Sequence, residues 1–369
     1  MSTANSNKVF NYKSDWFQFF DSVLRNEPEE EKYSRIKIKA NIVESNFSSF
    51  KEFAEMNKNR IKVIPSKEDD FFNVKIKHDN KQYYLYIDTI NPRFWLIHNI
   101  EYQRDIDPLI KDLFYNSYLQ DKIYIPNQMM ESYWKNYSKN SLGVSLTFKQ
   151  LLNEDVNNEN FSNMEREINN YTLRLWPKRP NTMEKFIEKF REIELPINFK
   201  YLNYVFKNKE GEILMKENIY RDGKFTINKG KDFRKHIDFI EKIKEDYDNL
   251  IKKIEKNRMN WKEGKGNLFC INFNKKINPN SIYKILKTNQ DIFKILIFPL
   301  YKEESFRLFD CMDLHTTGRF KLQIFKDKIY INLNADSCGN VILRLFSNLQ
   351  AHFSPDLQLK IDNQEKAIV

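Results

Sequence analysis

Cys311, Asp313 and His315 alternate along one short run, Phe309-Asp310-Cys311-Met312-Asp313-Leu314-His315. Successive side chains of an extended chain point to opposite faces, so these three share one face. A thiol, a carboxylate and an imidazole held together could act as a nucleophile with its base, or as three metal ligands. Further on, Asp336-Ser337-Cys338-Gly339-Asn340 separates a strand-like run from a helical one. The first N–H groups of a helix attract anions, and Gly339 permits a close backbone approach. Ser337, Gly339 and Asn340 are therefore anion-binding candidates. Cys338 is a second candidate nucleophile, because a helix N-terminus favours the thiolate. Each residue also has a plainer role. Cysteine is often simply buried, and Asp336, Ser337 or Asn340 could cap the helix, which is worth ~1 kcal/mol. His352, at the far end of that helix, fits a contact with the last carbonyls.

A different chemistry is offered by Tyr220-Arg221-Asp222-Gly223-Lys224-Phe225. Asp222-Gly223 marks a hairpin turn. Tyr220, Arg221, Lys224 and Phe225 place aromatics beside cations, the combination that holds single-stranded nucleic acid. The RNP1 pattern of RNA-recognition motifs is absent.

Other motifs are missing. No G-x-G-x-x-G or P-loop occurs, and with Gly 8 in 369 residues a Gly-rich phosphate cradle is disfavoured. No H-E-x-x-H, C-x-x-C or G-x-S-x-G is present. His78, His98 and His236 stand apart in the sequence, and His98 follows an apolar run, where a core or edge histidine is expected. No cofactor and no metal site of recognisable spacing is expected.

Composition sets the frame. Hydrophobic residues are 41% and aromatics 15%, enough for a substantial core. The net charge is +10, which fits a polyanionic partner or a lysine-rich surface. Cys270, Cys311 and Cys338 are widely spaced and propose no disulfide framework, in line with a reducing compartment. The N-terminus lacks an apolar signal core and no run approaches a membrane span, so a cytoplasmic protein with no membrane partner is expected.

These candidates must be positioned by elements that the patterning predicts. Residues 1–150 read as one α+β domain. It has a helix from Asp15, a capped helix at Ser49 with Glu52 three residues on, strands at 61–64, 72–76, 83–87 and 94–97, and a helix from Asp107 with Pro108 at its first position. Residues 151–168 read as a linker. Residues 169–369 read as a second α+β domain. Within it, 170–274 follow the order β-α-β-β-α-β of a ferredoxin-like unit, with the 233–259 helix at clear helical spacing. Residues 291–355 add a hairpin-and-helix extension, giving extra strands and a terminal helix. No internal repeat is evident. The expectation is a non-enzymatic binding or accessory protein that meets nucleic acid through its basic C-terminal half, with a protein partner as a further expectation. The alternative is an enzyme or anionic-ligand sensor built from the 311–315 strand and the 336–340 turn.

Overall fold

The computed structural model describes residues 8–25, 37–78, 81–136, 141–149, 170–176, 180–193, 195–260, 262–274, 276–303, 305–362 and 367–368. The protein is mixed α+β, and its strands form two antiparallel sheets. No helix among the described residues is long and apolar enough to cross a membrane. The expected linker at 151–168 lies outside the described residues.

In chain order, α1 (Lys13–Arg25), β1 (Ile38–Ser45), α2 (Phe50–Met56), β2 (Ile61–Pro65), β3 (Phe71–His78), β4 (Lys81–Asp88), β5 (Phe94–Asn99), α3 (Gln103–Ile110) and β6 (Gln120–Lys122) come first. Next are α4 (Asn127–Asn136), β7 (Ser141–Lys149), β8 (Asn170–Leu175), α5 (Pro180–Glu192), β9 (Phe199–Lys207), β10 (Ile213–Tyr220), β11 (Lys224–Gly230) and α6 (Phe233–Lys256). The rest is β12 (Phe269–Asn272), α7 (Pro279–Thr288), α8 (Gln290–Phe293), β13 (Ile295–Lys302), β14 (Phe306–Asp313), β15 (Arg319–Phe325), β16 (Lys328–Leu333), α9 (Asn340–His352) and β17 (Gln358–Ile361). Contacts divide the chain into two compact units: Met1–Ile123 with Asn203–Asp246, and Tyr124–Leu202 with Tyr247–Val369.

In the first unit the strand order is β2-β3-β4-β5-β1-β11-β10, and β6 also pairs with β1. Val43, Trp95 and Ile97 bury one face against Ile106, Leu109 and Phe114 of the α3 region. Ile38, Tyr86 and Ile227 bury the other against Trp16 and Phe20 of α1 and Phe233 of α6. The expected cap of α2 is present: Ser49 Oγ accepts from the Glu52 N–H at 3.3 Å, and the Glu52 carboxylate accepts from the Ser48 N–H at 2.9 Å. The helix expected from Asp107 begins earlier, at Gln103, so Pro108 lies inside it. Proline supplies no N–H there, and the chain leaves α3 through a wider π turn, Lys111–Tyr115.

In the second unit a six-stranded sheet runs β13-β14-β15-β16-β12-β17. Its inner residues, among them Phe309, Leu322, Ile331 and Leu359, are buried. Tyr283 of α7 stacks on Phe309 at 5.1 Å. Residues 340–351 of α9 are all buried, polar ones included, and those have partners. Ser347 Oγ donates to the Tyr124 carbonyl at 3.0 Å, and Gln350 Oε1 accepts from the Asn127 N–H at 2.9 Å.

The 170–274 run does not close into a ferredoxin-like unit. That fold would pair its last strand within the same sheet as its first. Instead β8 pairs with β7, whereas β12 pairs with β16 and β17. An additional strand, β11, follows the Asp222-Gly223 turn, where Gly223 takes φ +74°. Element order alone does not fix pairing, and Phe269 and Ile271 find their apolar neighbours in the later strands.

A repeat invisible in the residues emerges from the connections. β1-α2-β2-β3-β4-β5-α3-β6 and β12-α7/α8-β13-β14-β15-β16-α9-β17 share one plan. In both, a strand and helical crossover precede a four-stranded meander, whose last strand pairs antiparallel with the first. A helix then leads to a short strand that pairs with the first strand as well. The modules differ on one sheet face. In the first, α1 and α6 cover the face opposite its own helices. In the second, the corresponding face reaches solvent along β13, β14 and β15, while Cys270 and Asn332 farther across it are buried.

Candidate nucleic-acid interface

The structure brings the 311–315 and 336–340 segments together. Gly318 packs on Ser337, so that a Cβ at Gly318 would stand 2.9 Å from Ser337 Cα. A ring nitrogen of His315 and the Cys338 sulfur lie within 4.8 Å of each other. Cys311 and Asp313 are buried on the inner face of β14, and His315 is buried in the turn just beyond it. Asp313, however, is already engaged. Its Oδ1 accepts from Arg344 Nη2, in a fully buried ion pair, and from the His315 N–H at 3.1 Å. Its Oδ2 accepts from the Thr316 hydroxyl at 3.1 Å. Arg344 Nε donates to the Phe293 carbonyl at 2.7 Å. Burial pushes the Cys311 thiol well above the ordinary thiol value, away from the thiolate a nucleophile needs.

The anion-binding candidates have internal partners as well. The Gly339 N–H donates to Glu255 Oε1 at 2.9 Å, so a carboxylate of the chain itself sits at the start of α9. Arg258 Nη1 donates to the Ser337 carbonyl at 2.7 Å, and Ser337 Oγ donates to the Arg319 carbonyl at 2.7 Å. Asn340 Oδ1 accepts from the Tyr247 hydroxyl, which in turn accepts from the Tyr124 N–H at 3.0 Å.

The 220–225 candidates lie on the β10–β11 hairpin of the first unit. Phe225 is fully buried, on the opposite side of its strand from Lys224. Lys224 is ion-paired with Asp107 at 2.5 Å. Tyr220 and Arg221 are half-buried. Phe225 and Lys224 therefore do not share a surface at this turn.

Aromatics and cations do share one on the outer face of the β13–β17 sheet. Along β14 and β15 every second residue is buried and those between reach solvent. Register places Tyr301, Leu308, Gln323, Tyr330, Cys270 and Lys360 in one row across all six strands. A second row is Phe298, Asp310, Lys321 and Asn332. A third is Leu296, Met312 and Arg319. Tyr301, Phe306, Phe325 and Tyr330 form a chain of ring contacts at 6.1, 4.8 and 5.9 Å. Lys328 Nζ stands 5.3 Å over the Tyr330 ring. Exposure is greatest at the β13 edge, where Phe298 is 51% and Tyr301 50% exposed. Arg319 and Lys321 are exposed, while Lys328 and Lys360 are half-buried. Asp310 is the acid in these rows. The alternation was readable along each strand, but which strands lie side by side was not.

Two histidines separated in the sequence also meet. In the first unit His98 Nε2 and His236 Nε2 are 3.2 Å apart, and His236 Nδ1 is 2.6 Å from Glu217 Oε2. All three side chains are fully buried. Trp16 lies edge-on to His98 at 4.8 Å, and Phe233 contacts both rings. Burial, with the charge of His236, holds His98 well below the ordinary histidine value. Burial raises Glu217, against the opposing effect of His236.

A family model described as MJECL33-like protein matches residues 15–368, and the chain belongs to that family. A Methanocaldococcus jannaschii protein described as "Uncharacterized protein MJECL33" is 24% identical over 372 residues, covering 90% of this chain and 88% of its own. Neither description states an activity or a ligand.

Proposed function

We propose that this member of the MJECL33-like family is a non-enzymatic protein that binds single-stranded nucleic acid on the outer face of its β13–β17 sheet. The observation that carries the reading is the aromatic chain Tyr301–Phe306–Phe325–Tyr330 set among Arg319, Lys321, Lys328 and Lys360 on a solvent-facing sheet. Aromatic rings stack bases without regard to sequence, and cations track the phosphates. The half-buried amide of Gln323 adds a hydrogen-bonding group between them. Strands spaced ~4.8 Å apart give a six-stranded face ~24 Å across, room for a strand of roughly four nucleotides or more. The overall charge of +10 agrees with such a partner.

The second reading, an enzyme or anion sensor at 311–315 and 336–340, draws on the approach of His315 to Cys338. Against it stand the engagement of Asp313 by Arg344 and of the Gly339 amide by Glu255. The discriminating experiment is fluorescence anisotropy of the full chain with short single-stranded RNA and DNA, using Phe298→Ala and Tyr330→Ala variants. Loss of one stacked base is worth ~1–3 kcal/mol, roughly a fivefold to hundredfold weakening. Equal affinity of the wild type and both variants would reject the outer face as the binding surface. Absence of binding by the wild type would reject the function.

A further inference from the structure

A further group of buried polar side chains lies in the first unit, on the sheet face under α3. Lys39 of β1 is 3% exposed. Asn99 of β5 stands directly across from it on one side and Thr226 of β11 on the other. Asn41, two residues along β1, shares the same face and stands across from Lys224. The oxygen of each asparagine is used: Asn41 Oδ1 accepts from the Tyr115 hydroxyl at 3.1 Å, and Asn99 Oδ1 from the Glu101 N–H at 3.2 Å. Their amide nitrogens, and the Thr226 hydroxyl, are buried without a partner among the described residues. Lys39 Nζ donates to the carbonyls of Lys37, at 3.0 Å, and Glu101; among the described residues it makes no direct ion pair, though Asp107 and Glu101 act on it electrostatically. Asp107 is paired with Lys224, and Glu101 Oε1 accepts from the Tyr84 N–H.

A buried cation and three buried donors thus face one region. Native interiors rarely leave such groups unmet, and a buried charge ordinarily has a counter-charge. Water would satisfy the donors, while Asp107 and Glu101, each engaged elsewhere, offset the Lys39 charge in part. The geometry points to a binding site for a small oxyanion, the size of inorganic phosphate or the terminal phosphate of a nucleotide, held by Lys39, Asn41, Asn99 and Thr226. Opposed side chains in such a sheet have Cβ atoms ~5 Å apart, a spacing over which one tetrahedral anion can accept from several of them. Lys224 and Asp107, the latter's side chain 38% exposed, form the rim through which a ligand would enter. Burial, followed by Lys224, pushes the Lys39 ammonium down to about 8 against the opposing effect of Asp107 and Glu101, and a bound anion would add to that opposing effect.

The test is calorimetric titration of the full chain with inorganic phosphate and, separately, with adenosine monophosphate, against chloride. Saturable binding at about millimolar or tighter is expected for at least one of them. Binding of the monophosphate alone would identify a nucleotide as the source of the phosphate. Thr226→Val keeps the shape, removes one donor and should weaken binding roughly tenfold to a hundredfold. Lys39→Met should abolish it, and if that variant does not fold, Thr226→Val decides. A titration of the Lys39 amine should move to higher pH when the bound anion is present. No saturable binding by folded wild type, or affinity unchanged in Thr226→Val, overturns the site.

Discussion

Replacing Arg344 by methionine tests the assignment of the 311–315 segment to the scaffold. Arg344 and Asp313 are both fully buried, and the guanidinium meets the carboxylate and the Phe293 carbonyl. Methionine fills similar volume but leaves the carboxylate with only the His315 N–H and the Thr316 hydroxyl. Stranding one partner of a buried pair costs about 3–5 kcal/mol. The orphaned Phe293 carbonyl adds ~1 kcal/mol. Native-state hydrogen exchange of the α9 amides is the appropriate assay, because the chain has two compact units and need not unfold in one step. A loss of ~4–6 kcal/mol corresponds to exchange faster by roughly a thousandfold or more. Adding Asp313→Asn removes the uncompensated charge and should recover a large part of the loss. Acceleration of less than tenfold in Arg344→Met, or no recovery in the double variant, would refute the reasoning. Nucleic-acid affinity of either variant, measured while folded, should equal that of the wild type, since both residues face inward.

Further outcomes concern titration and packing. His98, held below ~6.5, contributes stability that is fully present above ~6.5 and lost as pH falls toward its folded value. Glu217, held above ~4.3, acts in the opposite sense, since its folded state takes up a proton earlier as pH falls. His98 should therefore lower the stability of the wild type between about pH 6.5 and 5 by no more than ~1.4 kcal/mol per pH unit, read as a falling thermal midpoint, with Glu217 offsetting part of it. His98→Gln should flatten that drop, and an unchanged slope would count against it. Cys270 is pushed up to about 11 and Cys311 higher still, both mainly by burial. Neither should react with iodoacetamide near pH 8 until urea unfolds the second unit, as peptide mass spectrometry would show. Gly318→Ala places a methyl 2.9 Å from Ser337 Cα and should destabilise the hairpin by ~1–3 kcal/mol, read as a lowered urea midpoint.

Much of the local structure was legible because its causes are local. The Ser49–Glu52 cap, the Asp222-Gly223 turn and the alternation of β14 and β15 follow from neighbouring residues. Pairing follows from packing between distant segments. Nothing near Phe269 specifies β16 as its neighbour, so the ferredoxin-like expectation failed and the repeated module stayed hidden. The same limit applies to the candidate sites. His98 and His236 are 138 residues apart, and Lys39 is one of 61 Lys and Arg residues until Asn99 and Thr226 are placed beside it. The fold brings His315 beside Cys338. The Asp313 carboxylate, however, serves a buried arginine that no spacing rule connects to it.

The central claim is that the outer face of the β13–β17 sheet binds single strands through Arg319, Lys321, Lys328 and Lys360. The most direct measurement is the salt dependence of affinity for a short single-stranded oligonucleotide, for the wild type and for Lys321→Ala. Release of counterions by these cations gives a logarithmic slope of about −2.8, so raising salt from about 50 to 200 mM should weaken binding roughly 50-fold. Lys321→Ala should reduce the slope by about 0.7 and leave the fold unchanged. Binding that ignores salt, a slope unaltered in Lys321→Ala, or no binding at the lower salt concentration would contradict the account.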